Sequence, residues 1–166
     1  MYSAGGIERS RDMRSRSSTL RSKLISMLPL AYLHTTSAEI AASGYTRDCV
    51  HHAAALAALL HAAGQQPWIG RLKDVQNRGT SVFHAPLTPL RFAQNTWTTH
   101  YVACAGRDVY DPIAGEPVDV GRYAALVFGR AIPVVEFLSL VETAALLERG
   151  ELTRALRTAH LLPVKG

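Results

Sequence analysis

Residues 44–67 read GYTRDCVHHAAALAALLHAAGQQP, and this stretch contains the best-defined predicted helix of the chain. Asp48 is a residue type that favours the N-cap, the residues after it are strong helix formers, and Gly64 and Pro67 supply a stop. The predicted helix is apolar on nearly every face, which is typical of a buried helix. We therefore expect it to be the central helix of the domain, with Cys49 in its first turn.

Helices are predicted towards both ends of the chain and strands in the middle, a pattern that indicates an α+β domain and not alternating βαβ units. Near the start, Pro29 is expected to interrupt or end one helix, and Ser37 to cap a short second helical piece. The strand-like segments are PWIGRL (67–72), TWTTHYVACAGRDVYDP (96–112, two strands around a turn) and AIPVVEF (131–137). The later helical segments are DVGRYAALVFG (119–129) and FLSLVETAALLERGELTRALRTAH (137–160, two helices parted at Gly150).

The composition is that of a single globular domain. The chain has 166 residues and is 48% hydrophobic, which is enough to bury a core. Its two cysteines are too few for a disulfide framework, so we expect a reducing compartment. No apolar run approaches the length of a membrane span. We divide the chain into a flexible, basic Ser/Arg-rich leader (1–20) and one domain (21–166).

The positive charge is concentrated at the start of the chain. Residues 1–23 contain six basic and two acidic residues, a net charge of +4 out of the total of +5. A nucleic-acid groove needs basic residues interleaved with aromatic residues on a folded face, and the near-neutral remainder offers none. The sequence therefore predicts no nucleic-acid partner.

The stretch THYVACAGRDVYDP (99–112) places a histidine and an aspartate on one face of a hairpin. Side chains alternate along a strand, and a two-residue loop at Gly106-Arg107 would pair Ala105 with Asp108. In that register His100 and Asp111 are diagonal neighbours, within reach of an imidazole–carboxylate hydrogen bond. A three-residue loop would move Asp111 to the other face.

Cys49 fits the role of a nucleophile whose base would come from this hairpin. The first turn of a helix has unpaired backbone N–H groups and the positive end of the helix dipole, which stabilise a thiolate. A thiol nucleophile also needs a base and a group that orients the base. We therefore predict a catalytic triad of Cys49, His100 and Asp111, with no cofactor and no metal.

The order Cys49, His100, Asp111 along the chain resembles that of the papain-like and transglutaminase-like cysteine hydrolases. The segments that carry the resemblance are DCVHHAAALAALLHAAGQQP (48–67) and THYVACAGRDVYDPIAGEPV (99–118). The "HYV…G…VYDP" pattern followed by a "Y…FG" helix is also similar to bacterial papain-fold toxins and effectors, including glutamine deamidases of the dermonecrotic-toxin type. The resemblance implies a buried central helix packed on an antiparallel sheet, a protein substrate, and action in a cytoplasm or in a host cell entered without a cleaved signal peptide. The chain departs from the pattern at Val50, where an aromatic residue is usual.

Several alternatives stay open at the level of sequence. Proteolysis, glutamine deamidation and transglutamination share the same thioester chemistry, and a non-catalytic binding module could use the same fold. The second oxyanion donor has four candidates, and the oligomeric state is undetermined. Those candidates are Tyr45, Thr46, Gln94 and Asn95. His51 and His52 are interpreted as polar positions at the helix start that line a cleft, because zinc needs three or four ligands and no second pair at ligand spacing is present.

Overall fold

A computed structural model describes residues 8–43, 48–73, 99–129 and 131–161, and within them the protein is an α+β fold. The helices of the described part are α1 (Glu8–Ser43), α2 (Cys49–Ala62), α3 (Val120–Phe128), α4 (Leu140–Glu148) and α5 (Leu152–Leu161). The strands are β1 (Pro67–Lys73), β2 (Thr99–Ala105), β3 (Asp108–Tyr110), β4 (Val118–Asp119) and β5 (Val135–Leu138). They form one antiparallel sheet in the order β4-β3-β2-β1-β5, and together with the helices this confirms the predicted α+β class.

Helix α2 is the central helix, as its composition predicts. Asp48 caps it in an extended conformation, and its carboxylate accepts a hydrogen bond from the backbone N–H of His51 at 3.1 Å. The side chains along α2 are buried among residues of α1, α5 and the sheet. Alanine-rich helices allow such close approach because the methyl side chain adds little bulk. The buried residues of α2 are Cys49, Val50, His52, Ala53, Ala54, Leu56, Ala57 and Leu60.

The sheet lies between two hydrophobic cores, and alternate residues of β2 belong to different ones. Tyr101, Ala103 and Ala105 pack in the core that contains α2. Val102 and Cys104 pack in the core that contains α3. Burial raises the pKa of the Cys104 thiol to about 12, so this second cysteine is an inert apolar residue of the core.

The hairpin between β2 and β3 has the predicted two-residue turn. Gly106 and Arg107 form the turn, and Gly106 adopts a left-handed φ of +57°, which suits a glycine. The observed pairs are Ala105 with Asp108, Cys104 with Val109, and Ala103 with Tyr110. The register that places His100 and Asp111 on one face is confirmed.

Helix α1 corrects the prediction that Pro29 interrupts the helix and that Ser37 caps a second one. The helix is continuous from Glu8 to Ser43, with Pro29 inside it. A proline inside a helix removes one backbone hydrogen bond. The Pro29 side chain is buried, and so are Leu33 and Ile40 further along the helix, at 0% and 3% exposure. Packing therefore outweighs the local preference. Residue 20, the predicted end of the flexible leader, lies inside α1.

Candidate functional site

His100 and Asp111 form a buried pair at the end of the hairpin. The His100 Nε2 and an Asp111 carboxylate oxygen are 2.7 Å apart, and both side chains are 3% exposed. His100 is the second residue of β2, and Asp111 follows the last residue of β3. The antiparallel register brings the two together although 11 residues separate them in sequence.

Two further hydrogen bonds fix the Asp111 carboxylate. The backbone N–H of Ile113 donates to one oxygen at 3.0 Å. The hydroxyl of Tyr123 donates to the oxygen that also binds His100. Tyr123 is fully buried on α3, so its hydroxyl needs this partner. The carboxylate is thus held in one orientation by three donors.

Helix α3 orients the histidine ring as well as the carboxylate. Phe128, in its last turn, meets the His100 ring edge to face with 5.5 Å between ring centroids and 84° between planes. The helix begins at the cap Asp119, whose carboxylate accepts from the Gly121 N–H, and ends at Gly129 in the left-handed conformation. Sequence reasoning assigned no role to Tyr123 or Phe128. The "Y…FG" pattern was the only sequence feature that singled out these two residues. It could not place them beside His100, because that distance depends on how α3 packs.

Cys49 completes the cluster from the start of α2. It is the first residue of the helix and is 3% exposed. It interacts with His100 through a side-chain hydrogen bond and through charge, both of which favour the protonated imidazole. The structure thus brings all three predicted site residues together, across the boundary between the two cores.

The electrostatics of the pair keep both groups charged. Burial alone would lower the pKa of His100, but the Asp111 carboxylate and then Cys49 outweigh it and raise this pKa to about 10. Burial would raise the pKa of Asp111, but the imidazolium and the donors around the carboxylate lower it below its usual value. At neutral pH, His100 therefore carries a proton and Asp111 a negative charge.

The two histidines after Cys49 have different surroundings. His51 is half exposed, and its Nδ1 lies 2.8 Å from the Asp48 carboxylate, which also forms an ion pair with Arg157 of α5 at 3.6 Å. His52 is buried, and its Nδ1 lies 3.0 Å from the Tyr32 hydroxyl of α1. The sequence predicts that both histidines line a cleft. His52 lines a cleft of about 490 Å³ between α1 and α2, and His51 is not part of its lining.

The described ranges show neither a metal site nor a membrane-spanning helix. There, no group of three or more His, Cys, Asp or Glu side chains could hold a metal ion. Of the helices in those ranges, none has both the length and the apolar character needed to cross a membrane. The four candidates for a second oxyanion donor fall at 45, 46, 94 and 95, outside the described residues.

Comparisons of the chain with family models, with curated proteins and with solved structures gave no match. The function of the site therefore rests on its own geometry and chemistry.

Proposed function

We propose that the protein is a thiol-dependent hydrolase or acyltransferase that acts on amide bonds of a protein substrate through Cys49, His100 and Asp111. The observation that carries the proposal is the buried hydrogen bond between His100 Nε2 and Asp111, on a ring that also interacts with the first residue of α2. A base oriented by a carboxylate and placed beside a thiol is the arrangement that nucleophilic catalysis requires.

The charge state of the pair defines how the reaction would start. Because the pKa of His100 is about 10, the imidazole holds a proton at neutral pH, and Cys49 would attack as a thiolate paired with it. The thiolate adds to the amide carbonyl, and His100 then donates its proton to the departing amine or ammonia. This leaves a thioester on Cys49 and a neutral His100. His100 next takes a proton from the acceptor that attacks the thioester, which restores the starting state.

Asp111 and the start of α2 would stabilise these charges. Asp111 holds the Nε2–H tautomer and stays negative beside the imidazolium, since Ile113 and Tyr123 also donate to it. Cys49 is the first residue of α2, so its backbone N–H has no acceptor within the helix, and this N–H and the positive end of α2 would stabilise an oxyanion. This arrangement, with a cysteine starting the buried central helix beside an antiparallel sheet, supports a papain-like or transglutaminase-like fold as part of the proposal.

The acceptor determines the product. Water attacking the thioester of a cleaved main chain completes proteolysis, and water attacking a glutamine thioester completes deamidation. An amine acceptor gives transglutamination.

Thiol alkylation tests the proposal directly. Iodoacetamide should label Cys49 well below pH 8, while Cys104 stays unlabelled because its pKa is about 12. Cys104→Ala is the matched control and should leave the labelling unchanged. Equal, slow labelling of both cysteines only at high pH would contradict the proposal.

An activity screen then identifies the reaction. Wild type and Cys49→Ala are incubated with candidate proteins and compared by mass spectrometry. A gain of about one mass unit on a substrate indicates deamidation, new termini indicate proteolysis, and a cross-link indicates transglutamination. All three must vanish in Cys49→Ala, because each passes through its thioester.

A second candidate is a non-catalytic protein-binding module on the same fold. The observation that favours it is the 3% exposure of Cys49, because a nucleophile must meet its substrate. Under this alternative the His100–Asp111 pair is structural, and Cys49 resists alkylation at every pH at which the protein stays folded. The alkylation experiment therefore separates the two candidates.

A further inference from the structure

The N-terminal half of α1 exposes an apolar stripe. It consists of Leu20, Leu24, Met27 and Leu28, which are 62%, 66%, 54% and 44% exposed. Their spacing of four, three and one residues places them on one face of the helix. Single exposed leucines are ordinary, but four on one helix face form a continuous apolar surface of the kind that marks an interaction site.

This stripe points away from the protein's own core. The buried face of α1 carries Leu33, Thr36 and Ile40, at 0%, 7% and 3% exposure. At about 100° of rotation per residue, the centre of the stripe lies roughly opposite the centre of that buried face. Leu28, at the edge of the stripe, lines the cleft between α1 and α2, whereas Leu20, Leu24 and Met27 lie on the side of α1 that faces away from the described core.

The same half of the helix is strongly basic. From Glu8 to Lys23 it contains six basic residues and two acidic ones, whereas the rest of the chain is nearly neutral. Arg21 and Lys23 are exposed beside the stripe. Two copies of such a helix would repel each other, so the charge opposes self-association and favours an anionic partner.

We propose that the N-terminal half of α1 binds an anionic lipid surface, lying in the plane of the interface. The apolar stripe would enter the boundary between head groups and acyl chains, and Arg21 and Lys23 would contact the acidic head groups. The helix would lie on the membrane and not cross it, in keeping with the absence of a spanning helix among the described residues. This inference does not depend on the chemistry of Cys49.

Vesicle co-sedimentation of the full chain tests the proposal. Vesicles of phosphatidylcholine with about 30% phosphatidylserine should bind the protein, pure phosphatidylcholine should bind it at least about tenfold more weakly, and roughly 0.5 M salt should release it. The triple substitution Leu20→Ser, Leu24→Ser, Met27→Ser should weaken binding about tenfold or more. Val141→Ser is the matched control, because Val141 is 78% exposed on α4, off the stripe.

A second variant makes the test independent of whether the triple serine variant folds. Arg21→Gln with Lys23→Gln changes only exposed charges, and it should weaken binding to the anionic vesicles and reduce the dependence on salt. Binding that ignores lipid charge, or that survives both variants, overturns the proposal. Binding to poly-glutamate with none to vesicles would assign the helix to an acidic protein instead. Stripe-dependent dimers without vesicle binding would assign it to self-association.

Discussion

Replacing Asp111 with Asn tests whether the buried pair holds a proton, through the dependence of stability on pH. The pKa of His100 rises from 6.5 to about 10 in the folded protein, against the effect of burial, because Asp111 and Cys49 favour the charged ring. At about 1.4 kcal/mol per pKa unit, this rise corresponds to roughly 5 kcal/mol of stability. Breaking a buried ion pair by removing one partner costs about 3–5 kcal/mol in other proteins, which is a similar size.

The sign of the pH dependence follows from where the proton is held. Below pH 6.5 both the folded and the unfolded chain carry it, and the contribution of His100 is complete. Between pH 6.5 and about 10 only the folded chain keeps it, so stability falls by about 1.4 kcal/mol per pH unit. Asp111 acts in the acid range: with its pKa lowered, its contribution is present above pH 3.8 and is lost as the pH falls through the folded pKa.

In Asp111→Asn the slope above pH 6.5 should disappear. Burial then acts on His100 without the carboxylate, so its pKa falls and the ring is neutral in both states. Urea unfolding at about pH 6.5, 7.5 and 8.5 measures the free energy of unfolding. Wild type should lose about 2 kcal/mol across this range relative to the variant.

The matched control is Asp119→Asn, which removes an exposed carboxylate and retains an oxygen that can cap α3. It should keep the wild-type slope. A flat wild-type profile, or an equal slope in Asp111→Asn, would refute the assignment of a proton to His100.

Three further substitutions have definite expected effects. Tyr123→Phe removes a donor to Asp111 and should cost about 1 kcal/mol and raise the pKa of that carboxyl, so that loss of stability in acid begins at higher pH. Gly70→Ala places a methyl group 2.5 Å from Val134 Cγ1 and should lower the free energy of unfolding by about 1–3 kcal/mol in a urea titration. Ser139→Ala breaks the capping box of α4 and should cost about 1 kcal/mol by the same assay. Unchanged urea midpoints would contradict the contacts in each case.

The sequence alone was sufficient to predict the parts of the site whose geometry is determined within a short segment of the chain. Asp48 and the alanine-rich run define the start of α2, and the observed cap confirms it. The Gly106-Arg107 turn sets the hairpin register, and with it the His100–Asp111 pair. Both features depend on turn and cap chemistry, which acts within a few residues.

The remaining features depend on contacts between distant segments. Tyr123 reaches Asp111 only because α3 packs against the face of the sheet that carries Val102 and Cys104. Pro29 stays inside α1 because the buried face of that helix continues past it. Side-chain periodicity predicts that a helix exists but not which face of the sheet it covers. The expectation that a proline breaks a helix applies to a helix that has no tertiary contacts to compensate for the lost hydrogen bond.

Because side chains alternate along β2, substitutions in this strand can alter the surroundings of Cys49 and of Asp111 separately. Odd-numbered side chains such as Tyr101 pack with Cys49, and even-numbered ones such as Val102 pack with Tyr123. Small volume changes at odd positions should therefore move the thiol relative to the imidazole, and changes at even positions should move the carboxylate and its supports. A library that varies only the odd-numbered positions of β2 would change the distance between the Cys49 thiol and the His100 ring and leave the orientation of that ring intact.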